Sequence, residues 1–301
     1  MKHLLSLHDL SPDAVVSVLD DADELKHTRN WHGAARPLKG RSVAMIFSKS
    51  STRTRVSFEV GIFELGGNAM FFDRKALQLG RGEPIADTAR VLSRYVHAIV
   101  IRYHSHADVE ELAAGSAVPV INALTDRYHP CQVLADLQTI RQHLGRLAGV
   151  KVAYLGDGAS NMAASWILGA GLAGVDLTVG APAPYQPPAE LLTAVAGNGS
   201  VTVEPDPRRA VAGADIVYTD VWVSMGFEEE AEERLQTLAP YQVNADLLQH
   251  AAADVRVMHC LPAYRDKEIT ADVLESERAI VWDQAENRLH AQKAILSRLV
   301  S

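Results

Sequence analysis

Val43-Ala44-Met45-Ile46-Phe47, the polar stretch Ser48 to Thr52, and then Val56, Val60 and Phe63 interleaved with Phe58, Ile62 and Leu65 decide the fold of this 301-residue chain. The apolar run is too short for a helix and polar residues follow it, so it reads as a buried strand. The apolar positions that follow recur at helical spacing, and Gly66-Gly67 supplies a helix stop. A buried strand that passes through a short turn into a helix is the repeating unit of a parallel sheet covered by helices.

The unit recurs in both directions. Upstream, Val15, Val18, Leu19, Ala22 and Leu25 mark a helix from Ser11, with Ser11 as N-cap, Pro12 at the first helical position and Asp13 in the first turn. Downstream, strands are expected at Ala69 to Phe72, Ala98 to Ile101 (ending at Arg102) and Val118 to Ile121, with helices at Ile85 to Tyr95 and Pro130 to His143. The second half restarts with a strand over Lys151 to Leu155, a turn at Gly156-Asp157 and a helix over Asn161 to Ala173. Further strands are expected at Asp176 to Gly180, Val201 to Val203, Asp215 to Thr219, Arg256 to Cys260 and Ala279 to Trp282. The expected fold is α/β, with two domains, each a mostly parallel sheet flanked by helices. Gly145 and Gly149 interrupt the pattern, which puts a first domain at residues 1–145 and a second at 146–284. A last helix, 285–301, is expected to pack back on the first domain.

Composition narrows the class. Hydrophobic residues make up 48% and charged residues 22%, as in a soluble globular enzyme. No apolar run approaches the roughly 18 residues of a membrane span, and the N-terminal segment is too short and soon too acidic for a signal peptide. With only Cys131 and Cys260, a disulfide framework is not expected and a cytoplasmic setting fits better. A net charge of −8 argues against nucleic-acid partners while leaving room for a local cationic pocket.

Five stretches and one lone arginine carry chemistry. Ser51-Thr52-Arg53-Thr54-Arg55 lies where a strand gives way to a helix start. Unpaired helix N–H groups, three hydroxyls and two guanidinium groups converge there, which is what a phosphate needs. A solvated, capped surface helix is the plainer alternative. Arg102 ends a strand, where ligands of open α/β sheets gather. His129-Pro130-Cys131-Gln132 opens a helix, with Pro130 suited to its first position. Asp220 to Gly226 follows a strand and runs into the charged stretch Phe227 to Arg234, again the place of a ligand loop. Gly156-Asp157-Gly158-Ala159-Ser160-Asn161 contains Gly-x-Gly, but Asn161 stands at the third glycine of the dinucleotide fingerprint. His259-Cys260-Leu261-Pro262 pairs His with Cys, yet no Cys/His cluster with zinc spacing exists.

Taken together and in order, these stretches resemble the aspartate and ornithine carbamoyltransferase family. The resemblance covers Ser51 to Glu59, Gln78-Leu79-Gly80-Arg81, Arg102, His129 to Gln132, Asp220 to Gly226, His259 to Pro262 and Glu286-Asn287-Arg288. It implies two α/β domains with the active site in the cleft between them, and transfer of a carbamoyl group from carbamoyl phosphate to L-ornithine, giving citrulline for arginine biosynthesis. It assigns Ser51, Thr52, Arg53 and Thr54 to the phosphate, with Arg55, Arg102, His129 and Cys260 in the catalytic set. Gln78, Gln132, Leu261 and Arg288 complete the carbamoyl-phosphate contacts, and in trimeric relatives the Gln78 segment can reach a neighbouring subunit. Asp220, Ser224 and Met225 match the family's Asp-x-Trp-x-Ser-Met-Gly loop for ornithine, and Asn161 the α-carboxylate region. The family often has two asparagines in that turn, whereas Ser160 precedes Asn161 here. Cys131 fills a variable position and reads as packing.

The resemblance further implies a homotrimer without metal or organic cofactor. Alternatives weighed against it are a carbamoyltransferase for putrescine, lysine, acylated ornithine or aspartate, a dinucleotide-dependent oxidoreductase, and a non-catalytic binding protein with this fold.

Overall fold

The computed structural model describes residues 1–31, 33–48, 51–73, 82–193, 195, 197–223 and 228–300. They divide into two compact units, Met1–Gln138 with Glu286–Ser301, and Thr139–Ala285. Both are parallel sheets with helical connections. No helix among the described residues is long and apolar enough to cross a membrane.

The first unit runs α1 (Pro12–His27), β1 (Ser42–Phe47), α2 (Thr52–Glu64), β2 (Asn68–Asp73), α3 (Ile85–Leu92), β3 (Ala98–Arg102), α4 (His106–Gly115), β4 (Val120–Leu124) and α5 (Pro130–Leu144), which passes into the second unit after Gln138. Its sheet order is β2-β1-β3-β4, every pair parallel. Val43 to Phe47 are buried, as the apolar run requires, and Ala44 and Ile46 pack with Ile99, Ile101, Val109 and Leu112. Ser11 caps α1 by accepting from Ala14 N–H.

The second unit runs β5 (Lys151–Leu155), α6 (Asn161–Ala173), β6 (Asp176–Gly180), α7 (Ala189–Thr193), β7 (Ser200–Glu204), α8 (Pro207–Ala210), β8 (Ile216–Thr219), α9 (Ala231–Leu238), α10 (Ala245–Leu248), β9 (Arg256–His259), α11 (Ala271–Leu274) and α12 (Val281–Val300), the last continuing into the first unit. Its order is β7-β6-β5-β8-β9, again all parallel.

Strand order locates the chemistry. In an open parallel sheet, ligands gather beyond the C-terminal strand ends where the winding reverses. That point lies between β1 and β3 in the first sheet and between β5 and β8 in the second. The chain leaving β1 enters the Ser51 to Arg55 stretch, and β3 ends on Arg102. The chain leaving β5 enters Gly156 to Asn161, and the chain leaving β8 begins at Asp220.

The structure differs from the sequence reading at three places. β4 starts at Val120 and runs to Leu124, where Val118 to Ile121 is expected. Pro119 has no N–H to give a ladder, so pairing begins after it. The periodicity assigns nothing between Arg102 and Val118, yet α4 lies there, capped by Ser105 accepting from Asp108 N–H. Ala279 to Trp282 is not a strand. Ala279 makes a single bridge to Val257, and the chain turns into α12 at Val281, with Asp283 in the favourable first turn.

Candidate active site

In the first unit the site grows from the start of α2. Ser51 is its N-cap, but its side chain makes no capping bond among the described residues. The serine N-caps of α1, α4 and α6 all do. The first turn of α2 thus keeps unsatisfied N–H groups and the positive end of the helix dipole. Thr52 and Arg53 are exposed there, and Thr54 is buried. Thr54 Oγ1 accepts from Arg288 Nη2 at 2.7 Å. Arg288, itself buried on α12, also donates from Nη1 to Gln132 Oε1. Gln132 Nε2 donates onward to Asp136 Oδ1 at 2.8 Å, which fixes the amide's orientation. The structure therefore brings together Thr54, Gln132 and Arg288, three residues far apart in sequence.

His129 immediately precedes α5 and is buried. Burial, reinforced by the charges of Arg288 and Arg102, holds its imidazole well below the ordinary histidine range. The ring is neutral at physiological pH, a neutral N–H donor among cations. Arg102 is buried at the end of β3, and its carbonyl accepts from Ser48 N–H at 2.9 Å, tying it to the end of β1. Cys131 Sγ contacts the Asn122 carbonyl at 3.4 Å, and burial pushes its thiol up to about 12, so it packs and does not react.

Arg55 lies apart from this set. One residue along a helix turns the side chain about 100°, so Arg55 leaves the face that carries Thr54. Its Nε donates to Glu59 Oε1 at 2.9 Å, and its guanidinium lies 3.7 Å from the centroid of the Phe71 ring. The structure does not join it to the Thr54–Arg288–Gln132 set.

In the second unit Asp220 and Cys260 meet. Cys260 Sγ donates to Asp220 Oδ1 at 2.9 Å, and Val221 N–H donates to the same oxygen at 2.8 Å. Burial pushes the Asp220 carboxyl above the usual carboxylate range, against the pull of His259 and these donors. Leu261 adopts φ +59°, ahead of the cis Leu261–Pro262 bond, and its N–H donates to His259 Nδ1 at 2.8 Å. The ring proton of His259 then sits on Nε2, 3.1 Å from Glu268 Oε1. Donor atoms of Asp220, His259 and Cys260 lie within 4.8 Å of one another. Both His259 nitrogens and the Cys260 thiol are engaged, so the trio is a hydrogen-bonded set.

Asn161 opens α6 and is half-buried, with the Ser160 N-cap beside it accepting from Ala163 N–H at 3.2 Å. The Gly-x-Gly turn before it answers to packing. Gly156 has φ +119°, and a Cβ there would come within 3.1 Å of the Trp222 indole nitrogen. At Gly158 a Cβ would meet the Tyr185 carbonyl oxygen at 2.9 Å. Gln78, Ser224 and Met225 lie outside the described residues.

Sequence reasoning passed over the residues that orient these groups. Asp157, buried in the β5–α6 turn, accepts from Arg234 Nη1 at 2.8 Å and from Ala159 N–H at 3.0 Å. Arg234, buried on α9, also bonds Glu230 and lies over the Tyr185 ring. Asp136 and Glu268 are the corresponding carboxylates behind Gln132 and His259. The one available signal was an acid or base at an otherwise apolar position, such as Asp136 among Val133, Leu134, Ala135 and Leu137.

Comparison with known proteins agrees with this geometry. The family model described as aspartate/ornithine carbamoyltransferase, carbamoyl-P binding domain, matches residues 2–142. Its Asp/Orn binding domain counterpart matches residues 148–299. The ornithine carbamoyltransferase of Methanoculleus marisnigri is 52% identical over 301 residues, 100% of this chain and 97% of the relative. The anabolic ornithine carbamoyltransferase of Pseudomonas aeruginosa is 51% identical, covering 100% of this chain and 97% of that one. The solved ornithine carbamoyltransferase from Pyrococcus furiosus matches with a TM-score of 0.95 at 50% identity, over 99% of this chain and 97% of that chain. With both domain models matched in order and relatives at about half identity across its length, the chain belongs to the aspartate/ornithine carbamoyltransferase family.

Proposed function

We propose that the protein transfers the carbamoyl group of carbamoyl phosphate to the side-chain amine of L-ornithine, giving L-citrulline and phosphate in the direction of arginine biosynthesis. The observation that carries the reading is the uncapped start of α2 tied by Thr54 to the buried Arg288–Gln132 pair, with neutral His129 in the same unit. This is a dianion site with a neutral N–H donor, and the matching family model is a carbamoyl-phosphate domain.

The first-turn N–H groups of α2, with Ser51, Thr52, Arg53 and Thr54, hold the phosphate. Arg102 and Arg288 balance its charge. His129 donates to the carbonyl oxygen, where negative charge develops as the amine attacks. Gln132 has one lone pair left on Oε1 for the carbamoyl NH₂, its other contacts being Arg288 and Asp136. Arg55 is not needed. In the second unit Asp220 takes the α-ammonium group of ornithine and Asn161 its carboxylate region. Cys260 and the Leu261 backbone hold the reacting ends. Gln78, Ser224 and Met225 join through the family motif alone.

The attacking amine must be neutral. An alkylamine has a pKa near ~10.4, so deprotonation at pH 7 costs about 4–5 kcal/mol, and partial desolvation lowers that. The departing phosphate is the natural proton acceptor. The protein's share is positioning and electrostatics. A homotrimer accords with the exposed Val56 and Phe63 on α2, the latter 77% exposed, an apolar stripe suited to another copy of the chain.

The test is carbamoyl phosphate with a panel of ornithine, putrescine, lysine, acetylornithine and aspartate, measuring ureido product. Ornithine should lead acetylornithine, whose α-amine is blocked, in kcat/KM by at least ~10²-fold, because that analogue leaves a buried carboxylate unpaired, and should lead the rest of the panel as well. A lead by putrescine would overturn the acceptor assignment.

A further inference from the structure

We propose that His106 is a positioning residue for His129: its Nδ1 accepts the Thr125 hydroxyl and so holds the turn from which His129 projects. The proposal rests on the role given to His129 above.

His106 begins α4 and is only 3% exposed. It stands 23 residues before His129 in the sequence, yet its ring meets the four-residue turn that immediately precedes His129. That turn is closed on itself. Thr125 N–H donates to the Tyr128 carbonyl at 2.9 Å, and Tyr128 N–H donates to Thr125 Oγ1 at 3.2 Å. Asn122, fully buried on β4, donates from Nδ2 to Leu5 O at 2.8 Å and to Tyr128 O at 3.3 Å, tying the turn to the N-terminal segment.

Glu110 sets the tautomer. Its carboxylate oxygen lies 3.7 Å from His106 Nε2, which favours the ring proton there. Nδ1 then carries the lone pair that accepts the Thr125 hydroxyl at 3.0 Å, a shorter contact than that hydroxyl's 3.4 Å approach to the Tyr128 carbonyl. The backbone is clamped from the same side, since His106 N–H donates to Asp126 Oδ1 at 2.8 Å and Asp126 N–H to the His104 carbonyl at 2.8 Å. The ring also lies edge-on to Tyr128, centroids 4.9 Å apart.

The groups facing the ring set its response to acid. Glu110 on α4 places a carboxylate oxygen 3.7 Å from Nε2. Asp126 and Arg127 face it from the turn, and Asp9 from the N-terminal segment. Burial outweighs these carboxylates and holds the imidazole below its ordinary range, with Arg127 acting the same way. Once protonated, both ring nitrogens are donors, and Nδ1 can no longer accept the Thr125 hydroxyl. Glu110 favours that charged form, so acid would release the Thr125 contact.

The experiment compares wild type, His106→Leu, His106→Gln, Thr125→Val and His129→Ala, with kcat measured against pH at saturating substrates. Leucine fills the space without an acceptor, whereas the glutamine amide oxygen can accept from Thr125. His106→Leu and Thr125→Val should lose about tenfold in kcat, the scale of a small misplacement of a reacting group, with ornithine KM held within about twofold. His106→Gln should restore most of kcat and move the acid limb to lower pH. Wild-type kcat in His106→Leu and Thr125→Val, with His129→Ala impaired, overturns the proposal. Wild-type kcat in His129→Ala instead overturns the reading of His129 itself, so the two failures are distinct. Thermal protection by carbamoyl phosphate reports that each variant is folded. Should His106→Leu not accumulate, an unmoved acid limb in His106→Gln with normal turnover in Thr125→Val overturns the proposal.

Discussion

In the first unit, one buried guanidinium ties three elements together. Arg288 on α12 holds Thr54 on α2 and Gln132 on α5, and Gln132 is held in turn by Asp136. In the second unit, the carboxylate of Asp220 meets a thiol and a backbone N–H, and the described residues place no lysine or arginine in hydrogen-bond contact with it. The first set gathers positive charge, as the anion site proposed above requires. The second centres on a carboxylate that meets no lysine or arginine among the described residues, as the proposed ammonium site requires. Each arrangement carries an electrostatic strain that its own substrate relieves, so damage to one should leave the other substrate's binding almost untouched.

Removing Arg288 is the most severe way to break that comparison. Arg288→Met removes the charge proposed to balance phosphate and frees Thr54 and Gln132; two charge-assisted bonds to the anion are worth about 1.5–3 kcal/mol each. Carbamoyl-phosphate affinity should fall about 10³-fold at ~1.4 kcal/mol per decade. Calorimetric titration checks it, and retention of affinity within tenfold would remove Arg288 from the anion site.

Asp220→Asn sharpens the comparison from the other side. Loss of one charge-assisted bond to an ammonium group should raise ornithine KM about 10–10²-fold, with carbamoyl-phosphate binding unchanged. The same variant should be more stable than wild type at pH 7. Asp220 has its folded pKa raised by burial, so its contribution to stability is complete below the unfolded value near ~3.9 and is lost as pH rises through the folded value. At neutral pH the ionised carboxylate is therefore a liability to the fold, kept for binding. A urea titration showing lower stability in Asp220→Asn would contradict this.

A third test concerns the residues behind the second site. Arg234→Met leaves Asp157 buried without its ion partner and should destabilise the protein by about 3 kcal/mol. The double variant with Asp157→Asn should be less unstable than the sum of the two single changes, because the unpaired charge is gone. Strict additivity in urea unfolding would mean that the 2.8 Å pair carries no coupling.

These expectations separate what the sequence could reveal from what it could not. Val43 to Phe47 announced a buried strand, because its apolar run has no other use. Ser51 to Arg55 read as an anion site because hydroxyls and guanidinium groups adjoin a helix start there. Arg288 was legible through its family motif, but its bonds to Thr54 and Gln132, 234 and 156 residues away, are tertiary facts. The partners of Arg55, Glu59 one helical turn on and Phe71 on β2, were equally out of reach of the local pattern. Ala279 to Trp282 looked like a strand by composition, and only the helix that begins at Val281 decides otherwise.

The smallest expected effect tests whether His129 is neutral. Its folded pKa is depressed by burial and by the cations Arg288 and Arg102. A depressed histidine lends stability that is complete above the unfolded value near ~6.5 and is lost as pH falls toward and through the folded one, since the unfolded chain binds the proton more readily. Wild-type stability should thus begin to fall below about pH 6.5, with a contribution from this residue approaching ~1.4 kcal/mol per pH unit. His129→Gln, which cannot titrate, should show a correspondingly flatter profile between pH 7 and 5 in urea unfolding. Parallel profiles for the two proteins would mean that His129 carries the same proton folded and unfolded, and the neutral-donor role would have to pass to another group.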